Sequence, residues 1–393
     1  LFIFVINKIH MKNLLLLPTL FTFVIGFSQN TLIPDPNFEQ ALIDLGYDTA
    51  PINGSVPTAT ISSITFLNVN DKNIADLTGI EDFTALTELV CNSNQLTSLD
   101  TSNNTALTDL YCYDNQLTSL DVSNNITLAS LICYGNQLTS LNVSNNIALV
   151  TLDCKDNQLT SLDVSNNFTL TGLNCYSNLL TGLDVSNNIA LVYLDCIDNQ
   201  LTSLDVSNNT AVTNLRCSSN PLTSLDTQYN TVLEFLQCDY NQLTSLDVSN
   251  NTVLKALNSE GNSLTSLNVS NNTDLIWLLL QSNQLTSLDV SNNIDLRNLR
   301  CNNNQLTSLD VRNGNNTNFD YFYAANNPNL TCIFVDDTDY SSVNWTGIDS
   351  NSTFVENEAE CATSCFINDG NIQAAVDLWI SDPTTAEATY GNI

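Results

Sequence analysis

Residues 107–127 read LTDLYCYDNQLTSLDVSNNIT, and close copies of this 21-residue unit occupy most of the chain. A repeat of this length is one coil of a solenoid, because a single unit cannot bury its apolar face alone. Stacked coils share one continuous core, so stability comes from contacts between neighbours. The second leucine of the unit recurs eleven times in unbroken register, at Leu89, Leu110, Leu131, Leu152, Leu173, Leu194, Leu215, Leu236, Leu257, Leu278 and Leu299.

The two halves of each unit predict different structures. The stretch Leu110-Tyr111-Cys112 alternates apolar and solvent-facing residues, as in a short strand. The other half, which reads LTSLDVSNN, is rich in Ser, Asn and Asp, and these residues favour turns over helix. We therefore expect about 13 coils, mostly of 21 residues, with a parallel β-sheet on one face. Extended or turn segments form the other face, and little helix is expected outside an N-terminal cap.

The repeated pattern resembles that of the leucine-rich repeat family over roughly residues 61–335. The resemblance implies a leucine-rich repeat solenoid with parallel strands. The stretch Leu77-Thr78-Gly79-Ile80-Glu81-Asp82-Phe83 is similar to the opening coil of secreted bacterial leucine-rich repeat proteins, including many of the Bacteroidetes. This second resemblance implies a secreted bacterial protein.

One asparagine recurs where each coil turns a corner. A buried amide at a corner can pair backbone groups that would otherwise lack partners. We therefore interpret this column as structural. It comprises Asn94, Asn115, Asn136, Asn157, Asn178, Asn199, Asn220, Asn241, Asn262, Asn283 and Asn304.

A cysteine column follows the strand leucines, at Cys91, Cys112, Cys133, Cys154, Cys175, Cys196, Cys217, Cys238 and Cys301. Ser259 and Leu280 replace cysteine in two coils, which indicates a core position of modest size. A straight column without nearby histidine is a poor zinc site. We expect buried free thiols, with disulfides between coils as the alternative.

An acidic column follows the fourth leucine of the unit, and Asn142 and Asn268 interrupt it. Each carboxylate can accept the backbone N–H two residues further on, which makes an Asx-turn. The alternative is a ladder of hard oxygen ligands for Ca²⁺. We expect the turn and no bound cofactor. The column comprises Asp100, Asp121, Asp163, Asp184, Asp205, Asp226, Asp247, Asp289 and Asp310.

The N-terminal region predicts a leader and a cap. Met11, a lysine and an apolar run ending near residue 29 are typical of a secretory signal peptide at 11–29, with residues 1–10 as upstream translation. The apolar run is too short for a convincing membrane span, so no membrane insertion is expected once the signal is cleaved. Residues 30–60 form the expected cap, with a helix that begins at Asp35-Pro36.

The C-terminal region departs from the repeat. The solenoid is expected to span 61–330 and a C-terminal cap 331–364. In a secreted protein, Cys332 and Cys361 are the expected disulfide of this cap, with Cys365 as a rival partner.

Residues 365–393 show a third composition. They contain an amphipathic stretch, Asn371–Ile380, followed by Ser381-Asp382-Pro383. This segment resembles the start of a BspA-like surface-repeat module. The resemblance implies that 365–393 is the truncated beginning of such a module.

Charge and composition exclude several classes of function. A formal net charge of −32 disfavours nucleic acid and anionic membrane as partners. The single histidine, His10, lies in the upstream segment, so no Ser-His-Asp or Cys-His system can form in the mature chain. No phosphate-binding loop or dinucleotide motif is present. We therefore expect no enzymatic activity.

The solvent-facing positions of the strands vary from coil to coil, while the core and turn positions remain nearly constant. We call this side of the sheet the strand face. Its predicted ligand-binding residues are Tyr111, Tyr113, Tyr134, Tyr176, Tyr193, Phe235, Tyr240 and Trp277. Exposed aromatics on one sheet indicate an interaction surface, although neutral variation on a β-surface also favours aromatics.

Together these features predict a secreted or cell-surface, non-catalytic binding scaffold or adhesin. Its partner is expected to be a protein or a polysaccharide bound on the strand face. The alternatives are a passive spacer within a modular surface protein and a calcium-dependent scaffold. The adhesin and the spacer differ in whether the exposed aromatic residues contribute to attachment.

Overall fold

A computed structural model describes residues 29–363, 372–383 and 385. Its main feature is a parallel sheet of thirteen three-residue strands, stacked in chain order. The strands are Phe66–Asn68, Glu88–Val90, Asp109–Tyr111, Ser130–Ile132, Thr151–Asp153, Gly172–Asn174, Tyr193–Asp195, Asn214–Arg216, Phe235–Gln237, Ala256–Asn258, Trp277–Leu279, Asn298–Arg300 and Tyr321–Tyr323. The predicted leucine-rich repeat solenoid is confirmed, with about 14 turns.

The strand register follows the sequence period. Leu110 pairs with Leu89 on one side and Leu131 on the other, and the same alignment continues through every strand to Leu299. The last strand places Phe322 opposite Leu299, because its coil is longer by two residues. The predicted line of eleven leucines is therefore confirmed, and all eleven side chains are buried.

The corner asparagines act as the sequence predicts. The side-chain amide of Asn115 donates to the carbonyls of Cys91 and Cys112, both at 3.1 Å. Its side-chain oxygen accepts the backbone N–H of Leu96 at 3.0 Å. One buried amide thus pairs backbone groups of two successive coils, and the same pattern recurs along the column. The structural interpretation is confirmed.

The residue before each corner asparagine has a left-handed backbone. Where it is not glycine its φ lies between 52° and 59°, as at Asp114 and Ser177. Asp, Ser and Asn tolerate this region better than bulky residues do, since their short side chains bond locally. The left-handed corner therefore explains why a short polar residue or glycine follows each strand after only a few positions.

A second asparagine column, the last residue of the SNN motif, was not singled out from the sequence. The amide of Asn146 donates to the carbonyls of Val122 and Asn125 in the coil before, both at 2.9 Å. Its side chain is fully buried. This column joins neighbouring coils on the side opposite the thirteen-strand sheet, which we call the return side. Few backbone hydrogen bonds link the coils there. It comprises Asn104, Asn125, Asn146, Asn167, Asn188, Asn209, Asn230, Asn251, Asn272 and Asn293.

The N-terminal cap covers the first coil with a helix at Pro36–Asp44. The Asp35 side chain accepts the backbone N–H groups of Asn37 and Phe38, and its second oxygen accepts those of Ala75 and Asp76. One carboxylate therefore caps the helix and holds it to the solenoid. The other elements here are the strands Asn30–Leu32 and Ser55–Pro57, the helix Thr58–Ile61 and the 3₁₀ turn Ile80–Asp82.

The C-terminal end differs from the expected turn segments. A second parallel sheet forms on the return side, from Ser287–Asp289, Ser308–Asp310, Cys332–Phe334 and Thr353–Val355. The last two strands are rich in aromatic and β-branched residues, which favour strands over turns. Stacking on this side therefore continues past residue 330, where the solenoid was expected to end.

The C-terminal cap also contains helix that the repeat pattern does not predict. Short helices occupy Thr338–Asn344 and Glu358–Thr363, a 3₁₀ turn occupies Asn316–Asn318, and a separate helix spans Ile372–Ser381. Trp345 is buried and stacks on Phe322, with ring centroids 4.3 Å apart. The indole thus covers the end of the leucine column, as an open core end requires.

Some predictions lie outside the described residues. These are the upstream segment, the signal peptide up to residue 28, Cys365 and most of the terminal module. Among the residues that the structure describes, no helix has the length and apolar character needed to cross a membrane.

Candidate functional site

The strand face is the outward side of the thirteen-strand sheet. Each coil contributes the residues before and after its central leucine and the residue two positions further on, since alternate strand residues point to the same side. Tyr111, Tyr193, Phe235 and Trp277 lie within strands, whereas Tyr113, Tyr134 and Tyr176 lie just beyond strand ends. Seven of the eight predicted residues therefore belong to this face.

The structure places the eighth residue, Tyr240, at a corner and not on the strand face. Its φ is 52°, in the position that other coils fill with Asp, Ser, Asn or Gly. Its hydroxyl donates to Glu260 at 2.7 Å, and its ring lies over Gly261, where an added Cβ would approach within 2.7 Å of the ring. The prediction for Tyr240 is wrong by one residue, because Asp239 occupies the face position of this coil and Tyr240 is the next residue.

Near the N-terminal end of the face, two tyrosines and a lysine form a stack. The rings of Tyr113 and Tyr134 lie 4.4 Å apart at 15°, and the Lys155 ammonium lies 4.4 Å from the Tyr134 centroid. Burial raises the pKa of Tyr134, with further contributions from Tyr113 and Asp114. The stack is thus an ordered, half-buried surface with both apolar and cationic character.

Tyr111 lies on the same face as this stack but does not join it. In the structure it pairs in register with Ile132, two residues earlier along the strand than the stacked rings. The structure therefore brings two of the three rings into contact, with Tyr111 beside them on the same face.

The centre of the face holds an ion pair bonded to a phenol. Arg216 donates to Asp195 at 2.7 Å and to the Tyr193 hydroxyl at 3.3 Å, while that hydroxyl donates to Asp195 at 3.0 Å. The Asp195 side chain is almost fully buried. Burial raises the pKa of Tyr193. This cluster holds three polar side chains in one arrangement and presents a rigid surface to a partner.

Beyond this cluster lies a groove of about 450 Å³. Phe235 and Trp277 form two of its walls, Arg216 borders it, and Ala256 leaves the space between the rings. The Trp277 side chain is 52% exposed, although tryptophan is usually well buried. The groove is therefore an apolar, accessible feature of the face.

Sequence analysis missed Tyr321 and Tyr323, which extend the face at its C-terminal end. Both are exposed, and the Arg300 guanidinium lies 5.7 Å from the Tyr321 centroid. The two-residue insertion in the last coil hides them from a strict 21-residue count. Taking Phe322 as the central strand residue would have identified both.

The acidic column forms turns on the opposite side of each coil. The carboxylate of Asp121 accepts the backbone N–H of Ser123 at 2.9 Å, and Asn142 makes the same bond to Ser144 at 3.0 Å. Hydrogen bonds from the serine side chain and backbone lower the pKa of Asp121. Within the described residues, no group of three or more His, Cys, Asp or Glu side chains is arranged to hold a metal ion.

The cysteine column lies inside the solenoid, and its nine members are buried free thiols. Burial raises the pKa of Cys91 and Cys301 to about 12. Outside the column, Cys332 and Cys361 form a disulfide, with their Cα atoms 5.8 Å apart. This is the pairing that the sequence analysis favoured.

Comparison with known proteins gives a consistent set of relatives, although no protein-family model matches the chain. Internalin J of Listeria monocytogenes serotype 4b is 34% identical over 77 residues. That match spans 20% of this chain and 8% of internalin J.

The solved functional domain of InlJ from Listeria monocytogenes, which includes a cysteine ladder, gives a longer match. It is 33% identical, with a TM-score of 0.70, over 79% of this chain and 78% of that domain.

Two more distant structures share the fold. An internalin, InlF, of Listeria monocytogenes is 24% identical with a TM-score of 0.69, over 83% of this chain and 96% of its own. A leucine-rich repeat protein of Leptospira interrogans is 23% identical with a TM-score of 0.64, over 77% and 82%.

Proposed function

Because this chain belongs to the leucine-rich repeat proteins related to the Listeria internalins, we propose that it is a non-catalytic binding protein. Its partner is a protein held on the strand face. The observation that carries this proposal is the concentration of ordered aromatic and ion-paired side chains on one side of the sheet, while the turns opposite repeat a nearly constant polar sequence.

The chemistry of the strand face favours a protein partner. Tyrosine, tryptophan and arginine supply much of the binding energy at protein interfaces, and the face carries all three. The Tyr113–Tyr134 stack and the Arg216–Asp195 pair are held in place before binding, which reduces the entropy lost on association. The net charge of −32 disfavours nucleic acid.

The proposal extends to location and modular organisation. Residues 11–29 serve as a signal peptide, and the protein acts outside the cell or on its outer surface. A source among the Bacteroidetes fits the opening coil at residues 77–83. Residues 30–60 and 331–364 close the two ends of the solenoid core, and residues 365–393 belong to a BspA-like module.

A photocrosslinking experiment tests the proposal. Benzoylphenylalanine replaces Tyr113 or Trp277 on the face, or the exposed Thr210 on the return side as the matched control. Each variant is irradiated on the cells that produce it. Crosslinks to one protein from both face positions, and not from position 210, are expected. Adducts that contain carbohydrate would identify a polysaccharide partner instead.

A second arm separates a binder from a spacer. Changing Tyr111, Tyr113 and Tyr134 together to serine should abolish the crosslink from position 277, since interface aromatics can contribute about 2 kcal/mol each. The three side chains are half-buried and lie outside the core, so the variant should stay folded with only a modest fall in melting temperature. Face positions that crosslink no better than position 210 would favour the passive spacer.

A further inference from the structure

In the last seven strands of the sheet, one register position of the strand face carries an aromatic residue on every second coil. The position is the residue directly before the central leucine, and its aromatic members are Tyr193, Phe235, Trp277 and Tyr321. We call these four residues the aromatic comb. The coils between them carry Asn214, Ala256 and Asn298, each paired in register with the aromatic residues on both sides. Small and large side chains therefore alternate along the face.

The small residues leave slots between the rings. The groove of about 450 Å³ extends from Tyr193 and Asn214 to Trp277, and it includes the space over Ala256 between Phe235 and Trp277. A second space of about 440 Å³ lies at Asn298, between Trp277 and Tyr321. Each slot has an aromatic wall on both sides, which suits an aliphatic side chain or a proline ring.

The spacing of the slots matches one peptide conformation. Strands in a sheet lie about 4.8 Å apart, so equivalent points on alternate coils are about 9.6 Å apart. A polyproline II helix rises about 3.1 Å per residue with three residues per turn, so every third side chain recurs after about 9.3 Å on the same side. A β-strand instead repeats a side after about 6.8 Å. An extended polyproline II segment that crosses the strands would therefore place every third residue in a slot.

The charged groups around the Ala256 slot indicate which sign of charge a partner should carry. The nearby cations are already paired, Arg216 with Asp195 and Lys255 with Glu234. Acidic groups lie along the far edge of the face in two consecutive coils.

Asp239 accepts from Ser218 and Asn258, and Glu260 accepts from Tyr240 and Gln281. Within the described residues, neither carboxylate has an ion-pair partner within 4.0 Å. The acidic edge lies about 13 Å along the strand from the comb. This is farther than one basic side chain extends, so the edge favours a basic partner through longer-range attraction that salt screens.

The charges around the second slot are positive on balance. Asp320 borders it, with Arg297 and Arg300 in the adjoining coil. The unpaired acidic groups, Asp239 and Glu260, therefore lie on the side of the first slot, and a basic partner is favoured there.

We propose that the aromatic comb binds a polyproline II segment of a protein partner, with an apolar residue or proline at every third position and at least one lysine or arginine. This proposal rests on the proposed function of the strand face. Aromatic-lined grooves bind proline-rich segments because such segments lose little entropy on binding.

Calorimetry with a synthetic peptide tests the proposal. The probe is a capped twelve-residue peptide of four Lys-Pro-Leu triplets, and its control has the same composition in an order that breaks the three-residue spacing. We expect the regular peptide to bind at least ten-fold more tightly. Ala256→Tyr fills the first slot and should weaken binding at least ten-fold, whereas Ser130→Tyr, at the same register position outside the comb, should leave it unchanged.

Two further variants check the walls and the charge. Trp277→Ala removes a slot wall and should also weaken binding of the regular peptide at least ten-fold. Asp239→Asn combined with Glu260→Gln should weaken binding and reduce its dependence on salt. Thermal melting by circular dichroism confirms that each variant is folded.

Equal binding of the two peptides, no binding up to 1 mM, or unchanged binding by Ala256→Tyr would each overturn the proposal. So would cellohexaose binding in place of the peptide, if Ala256→Tyr abolished it. In all four cases, crosslinks to one protein from positions 113 and 277 would still support the proposed function. Loss of those crosslinks as well would remove both proposals.

Discussion

The hydroxyl of Thr101 donates a 3.0 Å hydrogen bond to the side-chain oxygen of Asn125 in the next coil. Thr227 makes the same bond to Asn251 at 2.9 Å. In most other coils the threonine is replaced by valine. The corresponding asparagine oxygen is then buried without a hydrogen-bond partner in the described part of the chain, as at Asn188. Leaving a buried polar atom unpaired costs stability, so one residue of the repeat decides whether this column is fully satisfied.

We expect Val164→Thr to supply the missing donor to Asn188, since Val164 stands in the same relation to it as Thr101 does to Asn125. The matched control is Val212→Thr, at a fully buried core position. The hydrogen bond should make Val164→Thr less costly than its control by about 1 kcal/mol in the free energy of unfolding. Urea unfolding measures both variants, and equal destabilisation would contradict this role for the hydroxyl.

Ser259 interrupts the cysteine column, and its buried hydroxyl has no hydrogen-bond partner among the described residues. Ser259→Cys replaces an unpaired polar group with a small apolar one. We expect the free energy of unfolding to rise by about 1–2 kcal/mol. Cys154→Ser is the matched control and should lower it by a similar amount. A destabilising Ser259→Cys would show that the column position at residue 259 differs from the others.

The thiols of the column should be unreactive in the folded protein. Burial raises the pKa of Cys91 to about 12, so little thiolate exists at pH 8, and the sulfur is also inaccessible. A Cys365→Ser variant isolates the nine column thiols from the remaining cysteine. Ellman's reagent should detect none of the nine before unfolding and all nine in 6 M guanidinium. Rapid reaction of the native protein would argue against a closed core.

Acid should weaken the turns of the acidic column. Hydrogen bonds from Ser165 and Ser186 lower the pKa of Asp163 and Asp184 below the ordinary value of 3.8. Because the folded-state pKa is depressed, their contribution to stability is fully present above 3.8 and is lost as pH falls through the lower folded-state value.

An amide removes this dependence while keeping the turn, as Asn142 demonstrates. Changing Asp163, Asp184 and Asp205 to asparagine should therefore flatten the fall in melting temperature below pH 4. A variant as acid-sensitive as the parent would contradict the assignment.

Much of the fold could be predicted because the repeat is so regular. The strand leucines, the corner asparagines and the cysteine column each follow from periodicity, since every coil must bury the same positions. The second sheet at Cys332–Phe334 and Thr353–Val355 could not be predicted in this way, because it forms where the repeat ends and only local β-propensity remains as a signal.

The candidate site was predicted less completely than the core. The sequence indicates which residues face outward, but the contacts between neighbouring coils depend on register and rotamer. Tyr113 and Tyr134 therefore stack while Tyr111 does not join them. Tyr240 was assigned to the face because corner and strand residues are adjacent in the unit, and its positive φ is visible only in three dimensions.

The second asparagine column links every coil to the one before it in the same way. Each of its amides reaches back to the preceding coil at constant sequence offsets, as Asn146 does to Val122 and Asn125. Excision or duplication of one whole coil therefore rejoins matching surfaces and leaves the core intact. The aromatic comb, in contrast, is disrupted when a single coil is lost or added. Loss of the coil that carries Ala256 would bring Phe235 and Trp277 onto adjacent strands and close the slot, whereas loss of a pair of coils would preserve the alternation. In-frame recombination can thus add or remove single coils without damage to the core. Only the addition or removal of an even number of coils preserves the spacing of the aromatic comb.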